Sequence, residues 1–355
     1  MTKINRLMTK LPEKSCGLIT SDINRRYFTG MKSSAGVLAV FNDEAYLIID
    51  FRYIEKARDT VTDCNVIEMT DTYSQLEELI KKHDCRQLFI EDETMTVASL
   101  KRLTEKLNGC VKISPDDTLS RLIRDMRQIK TDEEIALMIK AQRIAEAALT
   151  ETLNFIKEGV TEREIALFLD SHMLSMGAEA LSFETIALCG ENTSLPHGVP
   201  SDRRLKKGEP ILMDFGAVYE GYHSDMTRTV VLGEPTEEFE RVYQIVLDAQ
   251  RLTINAARAG ITGIELDSVA RNYIAEQGYG DHFGHGLGHS VGMEIHEFPY
   301  ANKSCDTVLK ENIIMTIEPG IYLPKKFGIR IEDFVIIRKN GCENMTAAPK
   351  NLIKL

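Results

Sequence analysis

The stretch ILMDFGAVYEGYHSDMTRTVVL, Ile211 to Leu232, constrains this chain more than any other. Two apolar runs rich in β-branched residues flank a turn region containing Glu220 and Gly221, the pattern of an antiparallel hairpin. Folding the ribbon about the Tyr219/Glu220 junction sets Asp214 directly opposite Asp225. Opposed residues of an antiparallel pair share a face, with Cβ atoms about 5 Å apart. Two carboxylates that close in an apolar ribbon repel unless a proton or a cation lies between them. The alternative for this piece alone is a hairpin carrying two unrelated, solvated acids.

A second ribbon, Ile313 to Arg338, repeats the device: folded near Lys325, it sets Glu318 and Glu332 at equal distances from the tip. Between the ribbons, FGHGLGHSVGMEIHE brings His285, His289 and His296 among glycines that let backbone approach a ligand closely. Four carboxylates and a histidine form a hard, oxygen-rich set suited to two divalent ions.

The helical segments carry their own signatures. Thr131 with Glu134 spells a capping box, followed by apolar residues at helical spacing from Ile135 to Ile156. Thr161 with Glu164 repeats the box before a second helix that stops at Gly177. Residues 159–177 align without a gap on residues 260–278, sharing Gly, Thr, Glu and Gly at a constant offset of 101. AQR at 141–143 reappears at 249–251, upstream of the second copy. The pattern reads as an internal duplication, two helix-pair-plus-hairpin halves about a pseudo-twofold axis with the acids at the seam. His172 reads as a helix-face residue and His223 as part of an exposed turn.

A length of 355 residues suggests two domains. The polar break SPDDTLSRL sets the expected boundary, with an α/β domain over 1–118 and the ribbon-bearing domain over 119–355. In the first domain CGLIT, RYFTG, GVLAVF, AYLIID and QLFIE read as strands, and Tyr53–Thr60, Tyr73–His83 and Ala98–Leu107 as helices. Tyr27, Arg52 and Tyr53 are assigned to packing or surface pairing. A net charge of −11 argues against nucleic acid or an anionic membrane as partner. No apolar run approaches the roughly 18 residues that span a bilayer, and MTKINRLMTKLPEKS lacks the apolar core of a secretory signal. Seven scattered cysteines without a CxxC pair fit reduced thiols and a cytoplasmic protein.

The paired ribbons, GHGLGH…IHE, TIEPGIY and RIED together resemble the dinuclear metallopeptidases of the pita-bread fold, over about residues 120–350. Within that family the chain is most similar to the Xaa-Pro peptidases, aminopeptidase P and prolidase. The resemblance implies a creatinase-like N-terminal α/β domain and a pita-bread α+β catalytic domain. It implies two divalent ions per chain, Mn²⁺ first, with Co²⁺ or Zn²⁺ as alternatives, held by Asp214, Asp225, His289, Glu318 and Glu332. His289 is preferred to His285 because the family's ligand stands seven residues before the histidine of the HE pair, here His296. His285 is then a supporting or substrate-side residue. The family mechanism implies a metal-bridging hydroxide as nucleophile, Glu318 handling its proton, and His197 and His296 on the scissile carbonyl. Arg330 shares a strand face with Glu332 and is expected to order that residue or neighbouring acids.

The implied substrates are short peptides with proline second, and the implied assembly is a homodimer. Some prolidases carry an arginine where HEFPYANK has Tyr300, so Xaa-Pro aminopeptidase ranks first and Xaa-Pro dipeptidase second. A non-catalytic, peptide-binding relative is the reading from another class, and the filled ligand positions argue against it.

Overall fold

The computed structural model describes residues 1–355, which form two compact units, 1–127 and 128–355. The division falls later than the expected boundary at 118 because the polar break leads into a helix, Thr118–Gln128, that belongs to the first unit. Its Leu119, Ile123 and Met126 are buried, Leu119 lies over Gly17, and the Tyr27 hydroxyl donates to the Met126 carbonyl at 3.2 Å.

The first unit is a six-stranded mixed sheet whose strands run, edge to edge, 65–68, 45–49, 37–40, 15–19, 87–90 and 112–114. The three expected helices lie within a residue of their predicted bounds, at Ile54–Thr60, Thr72–Lys82 and Val97–Lys106. RYFTG is not a strand: it closes a helix, Asp22–Thr29. Ser21 caps that helix by accepting from the Asn24 amide and Gly30 ends it, so local capping outweighs the strand preference of adjacent aromatics. Arg52 pairs with Asp50 at 2.6 Å and Tyr53 bonds Ser34 at 2.8 Å, surface roles as expected.

The second unit consists of two halves with the same plan. Helices Asp132–Phe155 and Glu162–Ser175 precede a sheet of strands 186–189, 210–215 and 226–231. Helices Glu237–Ala256 and Gly263–Glu276 precede a sheet of strands 314–317, 333–338 and 341–344. Each half packs its own apolar core. The duplication extends to single bonds. Thr161/Glu164 and Thr262/Glu265 both form complete capping boxes. Gly159, Gly177, Gly260 and Gly278 all take left-handed φ, at 87°, 99°, 91° and 85°. The Gly159 amide donates to Leu205 O at 2.8 Å, and the Gly260 amide to Leu309 O at 2.9 Å. No helix is long and apolar enough to cross a membrane.

The two ribbons differ from each other. In the first, Thr227 and not Asp225 stands opposite Asp214. Tyr219 pairs with Tyr222, and the tip is Glu220–Gly221 with φ of 47° and 85°. Positive φ at both tip residues is the turn that matches strand twist, and it moves the fold point one residue beyond the expected Tyr219/Glu220 junction. Asp225 therefore lies diagonally across from Asp214. In the second ribbon Lys325 sits at the tip, and Gly320↔Arg330 and Ile317↔Asp333 keep one register on both sides of a gap. Glu318 and Glu332 face each other inside that gap, as the spacing predicts.

Candidate metal centre

The four expected acidic ligands occupy strand ends, and the histidine lies within a short strand. Asp214 is the penultimate residue of strand Pro210–Phe215, and Asp225 immediately precedes Met226–Val231. Glu318 follows Ile314–Ile317, Glu332 precedes Asp333–Arg338, and His289 centres Gly288–Ser290. At such ends the backbone leaves its own ladder and becomes available to other segments. The Glu332 amide donates to Thr227 O at 3.1 Å and the Glu318 amide to Leu287 O at 2.9 Å, so the first of these bonds stitches the two halves together. A buried ion pair reinforces the seam: the Arg228 guanidinium bonds Glu332 O at 2.5 Å and the Asp333 carboxylate at 2.7 Å.

This stitching brings the acids to one point. Donor atoms of Asp225, His289 and Glu332 all lie within 4.8 Å of one another. His289 Nε2 is 3.6 Å from Asp225 Oδ2 and 3.6 Å from Glu318 Oε1. Asp214 accepts from Arg330 at 2.6 Å through Oδ2, while its Oδ1 is buried without a hydrogen-bond partner. All five side chains border one cavity of about 530 Å³.

Electrostatics makes this cluster costly for protein groups alone. Burial, then Asp214 and Glu318, push the Asp225 carboxyl well above the usual range. Glu332 is raised likewise by burial and then by Asp225, Glu318 and Asp214. Burial lifts Glu318 to about 8, against the pull of Arg330. His289 is driven down to about 4 by burial and then by His296, so its ring is neutral. Its Nδ1 lies 3.1 Å from Ser290 O, which assigns the proton there and leaves the Nε2 lone pair facing Asp225 and Glu318. Converging lone pairs, an orphaned buried oxygen and hard carboxylate donors are what divalent cations complete. The residues present fit such ions.

Arg330 is the permanent cation bordering the cavity. It pairs with Asp214 and reaches Glu332 only through Thr227, whose hydroxyl accepts from Arg330 Nε at 3.0 Å and donates to Glu332 at 2.7 Å. Its third branch donates to the Tyr322 hydroxyl at 2.7 Å. Tyr322 also lies 3.0 Å from His285 Nε2, and His285 Nδ1 lies 2.8 Å from Gly286 O. Both nitrogens of His285 are thus engaged away from the acids. His296 sits edge-on to His289 with ring centroids 4.4 Å apart, and burial lowers its pKa. His197 stands exposed on the cavity rim. His172 instead stacks on Phe168 outside the cavity.

Several contributors escape sequence reasoning. Thr227 lies in the first ribbon, and only the observed register shows that it faces Asp214. Thr316 accepts from the His289 amide at 3.0 Å and donates to Glu318 at 3.3 Å; its position two residues before Glu318, on the same strand face, could have flagged it. Lys130 bonds Ser290 Oγ at 3.2 Å and the buried Glu297 carboxylate at 3.1 Å, closing the loop between His289 and His296. No local motif announces that pairing across the chain.

Residues 136–339 match the model of Metallopeptidase family M24, and residues 3–129 match that of the Creatinase/Prolidase N-terminal domain. The chain is 39% identical over 354 residues to an Xaa-Pro dipeptidase of Pyrococcus furiosus, covering 99% of each. It is similar to the structure of an Xaa-Pro dipeptidase from Bacillus anthracis, at 38% identity and a TM-score of 0.94 over 99% of both chains. It is also similar to that of an X-Pro aminopeptidase from Thermotoga maritima, at 37% identity and a TM-score of 0.90 over 96% and 97% of the two chains. The chain belongs to metallopeptidase family M24, with a creatinase/prolidase N-terminal domain ahead of a duplicated pita-bread domain.

Proposed function

We propose that this metallopeptidase hydrolyses the Xaa-Pro bond of short peptides, with Xaa-Pro dipeptides as its principal substrates. The observation that carries the reading is the convergence of Asp214, Asp225, His289, Glu318 and Glu332 on one cavity of about 530 Å³. The near full-length likeness to Xaa-Pro dipeptidases supports the dipeptide preference and reverses the ranking drawn from Tyr300.

In this reading Asp214, Asp225, His289, Glu318 and Glu332 would together hold two divalent ions. Mn²⁺ is the first choice, with Co²⁺ or Zn²⁺ as alternatives. Such a pair supplies Lewis acidity and brings the pKa of water from 15.7 towards about 7. Glu318 takes the proton of the attacking water and returns it to the departing proline nitrogen. His197 and His296 donate to the carbonyl oxygen as negative charge develops on it, a role suited to imidazole N–H groups at a site shielded from water. Arg330 orients Asp214 through their 2.6 Å contact. An Xaa-Pro amide has no N–H to offer, so selection falls to shape, and Phe183, Val199 and Ile295 provide apolar wall for the ring.

Aminopeptidase activity on longer peptides is the second reading. It is favoured by Tyr300 on the cavity wall and by the commitment of Arg330 to Asp214, which leaves a dipeptide's free carboxylate no dedicated guanidinium there. The reading includes a cytoplasmic homodimer, and a net charge of −11 argues against nucleic-acid partners. The deciding measurement compares kcat/KM for an Xaa-Pro dipeptide and an Xaa-Pro-Xaa tripeptide in Mn²⁺-loaded enzyme. Higher turnover of the dipeptide is expected. A preference for the tripeptide selects the second reading, and hydrolysis of neither defeats both.

A further inference from the structure

We propose that Glu162 is a positioning residue that sets the His197 loop at the mouth of the cavity; the inference rests on the role given to His197 above. Glu162 opens the helix Glu162–Ser175, is fully buried, and points at a loop instead of solvent. One carboxylate oxygen accepts from the Cys189 amide at 2.8 Å and from the Asn192 side chain at 2.9 Å. The other accepts from the Ser201 amide at 3.0 Å and the Ser201 hydroxyl at 2.6 Å. Four donors from the two ends of segment 189–201 thus meet on one anion, and His197 rides between them. Hydrogen bonds to an ionised acceptor are about twice as strong as neutral ones.

The duplicated half supplies the control. Around the two helix starts the backbone bonds coincide: Glu162 N to Arg203 O at 3.1 Å matches Gly263 N to Thr307 O at 3.2 Å. Arg163 N to Ser201 O at 3.1 Å likewise matches Ile264 N to Cys305 O at 2.9 Å. At the one position where Glu162 extends its side chain, the second half has Gly263, and a Cβ there would fall 2.2 Å from Tyr300 O. The same frame therefore closes directly on its loop in one half and carries a carboxylate spacer in the other, and the spaced loop is the one bearing His197. Apolar burial does little to hold this loop, since Leu195 and Val199 are 53% and 78% exposed. Its other anchors are Gly198 against Leu188, the Gly328 amide on Thr193 Oγ1 at 2.8 Å, and Arg330 on Pro196 O at 3.4 Å.

Glu162→Gln keeps the volume but turns an NH₂ group towards two donors, and Glu162→Asp keeps the charge but shortens the reach. In the full-length, Mn²⁺-loaded enzyme, Glu162→Gln is expected to lower kcat/KM on an Xaa-Pro dipeptide by about 10- to 100-fold, the cost of a small misplacement of a reacting group. Mn²⁺ stoichiometry should not change. In a His197→Ala background the same change should add less than about twofold, because the two residues act through one another. In protein with ¹³C-labelled histidine, the His197 ring signal should move in both Glu162 variants while those of His289 and His296 stay. Additive losses, or a His197 signal that does not move, overturn the proposal. If Glu162→Gln does not fold, Ser201→Ala removes a single donor and is judged by the same two readouts. Full activity in His197→Ala would instead reject the role of His197 itself, a failure distinct from additivity.

Discussion

The two ribbons of the catalytic unit deliver the same cargo, a pair of acids each, by different geometry. The second is regular: one register runs from Ile317↔Asp333 to Gly320↔Arg330, and its two glutamates face each other in the gap. The first is offset, with Thr227 opposite Asp214 and Asp225 displaced along the strand. Despite this, Asp225 of the irregular ribbon lies within 4.8 Å of His289 and Glu332 of the other half. The difference teaches that pairing within a hairpin does not build the site. Bonds between the ribbons do, through Thr227, Arg228 and Arg330.

The largest expected effect tests whether both ribbons serve one centre. Chelation should abolish hydrolysis reversibly, and Asp225→Asn or Glu332→Gln should each lower kcat/KM by roughly a thousandfold or more, about 4 kcal/mol of transition-state stabilisation. Metal analysis should find fewer than two ions in either variant. If one variant keeps its activity and its full metal content, the ribbons do not share a site.

Next comes Lys130→Met, which removes the ammonium from the buried Glu297 carboxylate and frees the loop between His289 and His296. Breaking a buried pair from one side costs about 3–5 kcal/mol, readable by urea unfolding of metal-free protein. A loss below about 1 kcal/mol would mean that the loop does not depend on this contact.

Thr227→Val sharpens the comparison itself, because it deletes the hydroxyl that links Arg330 to Glu332 while keeping side-chain shape. Mn²⁺ affinity by calorimetry should fall about 10- to 100-fold, the usual effect of losing a partner of a metal ligand. Unchanged affinity would leave backbone bonds alone to join the ribbons.

The smallest effect is a pH slope. In metal-free protein Asp225, Glu332 and Glu318 have raised folded pKa values, Glu318 to about 8, so the folded state binds protons more tightly than the unfolded state. Stability from these groups is present below the unfolded carboxylate pKa and is lost as pH rises towards 8. Because His285 and His289, lowered to about 4, act in the opposite sense below an unfolded histidine pKa of about 6.5, Tm of metal-free protein should drop by a few degrees between pH 7 and pH 8, and Mn²⁺ should flatten the slope. A metal-free Tm that rises over this range would show that the acids are not held close together.

Much of this was legible in the chain. Capping boxes at Thr131, Thr161 and Thr262, glycine stops and the tip at Lys325 depend on residues a few positions apart, so their spacing encodes them. RYFTG misleads because its closing Gly30 is a helix stop and the matching Ser21 cap lies upstream of the aromatic pair. The unit boundary moved from 118 to 127 because burial of Leu119 against Gly17, and not the polar break, decides which unit owns the helix.

The amino-acid sequence by itself determined the inventory: two duplicated halves, four acids and a histidine, and a returning ribbon in each half, the second with its tip at Lys325. Tertiary structure alone decided the partners, namely which oxygen Arg330 neutralises, which loop Lys130 closes, and why Glu162 and Gly263 differ at equivalent positions. The reason is physical. Turn and cap energies depend on neighbours along the chain, whereas buried polar groups must be satisfied by whatever donors the packed halves bring within about 3 Å.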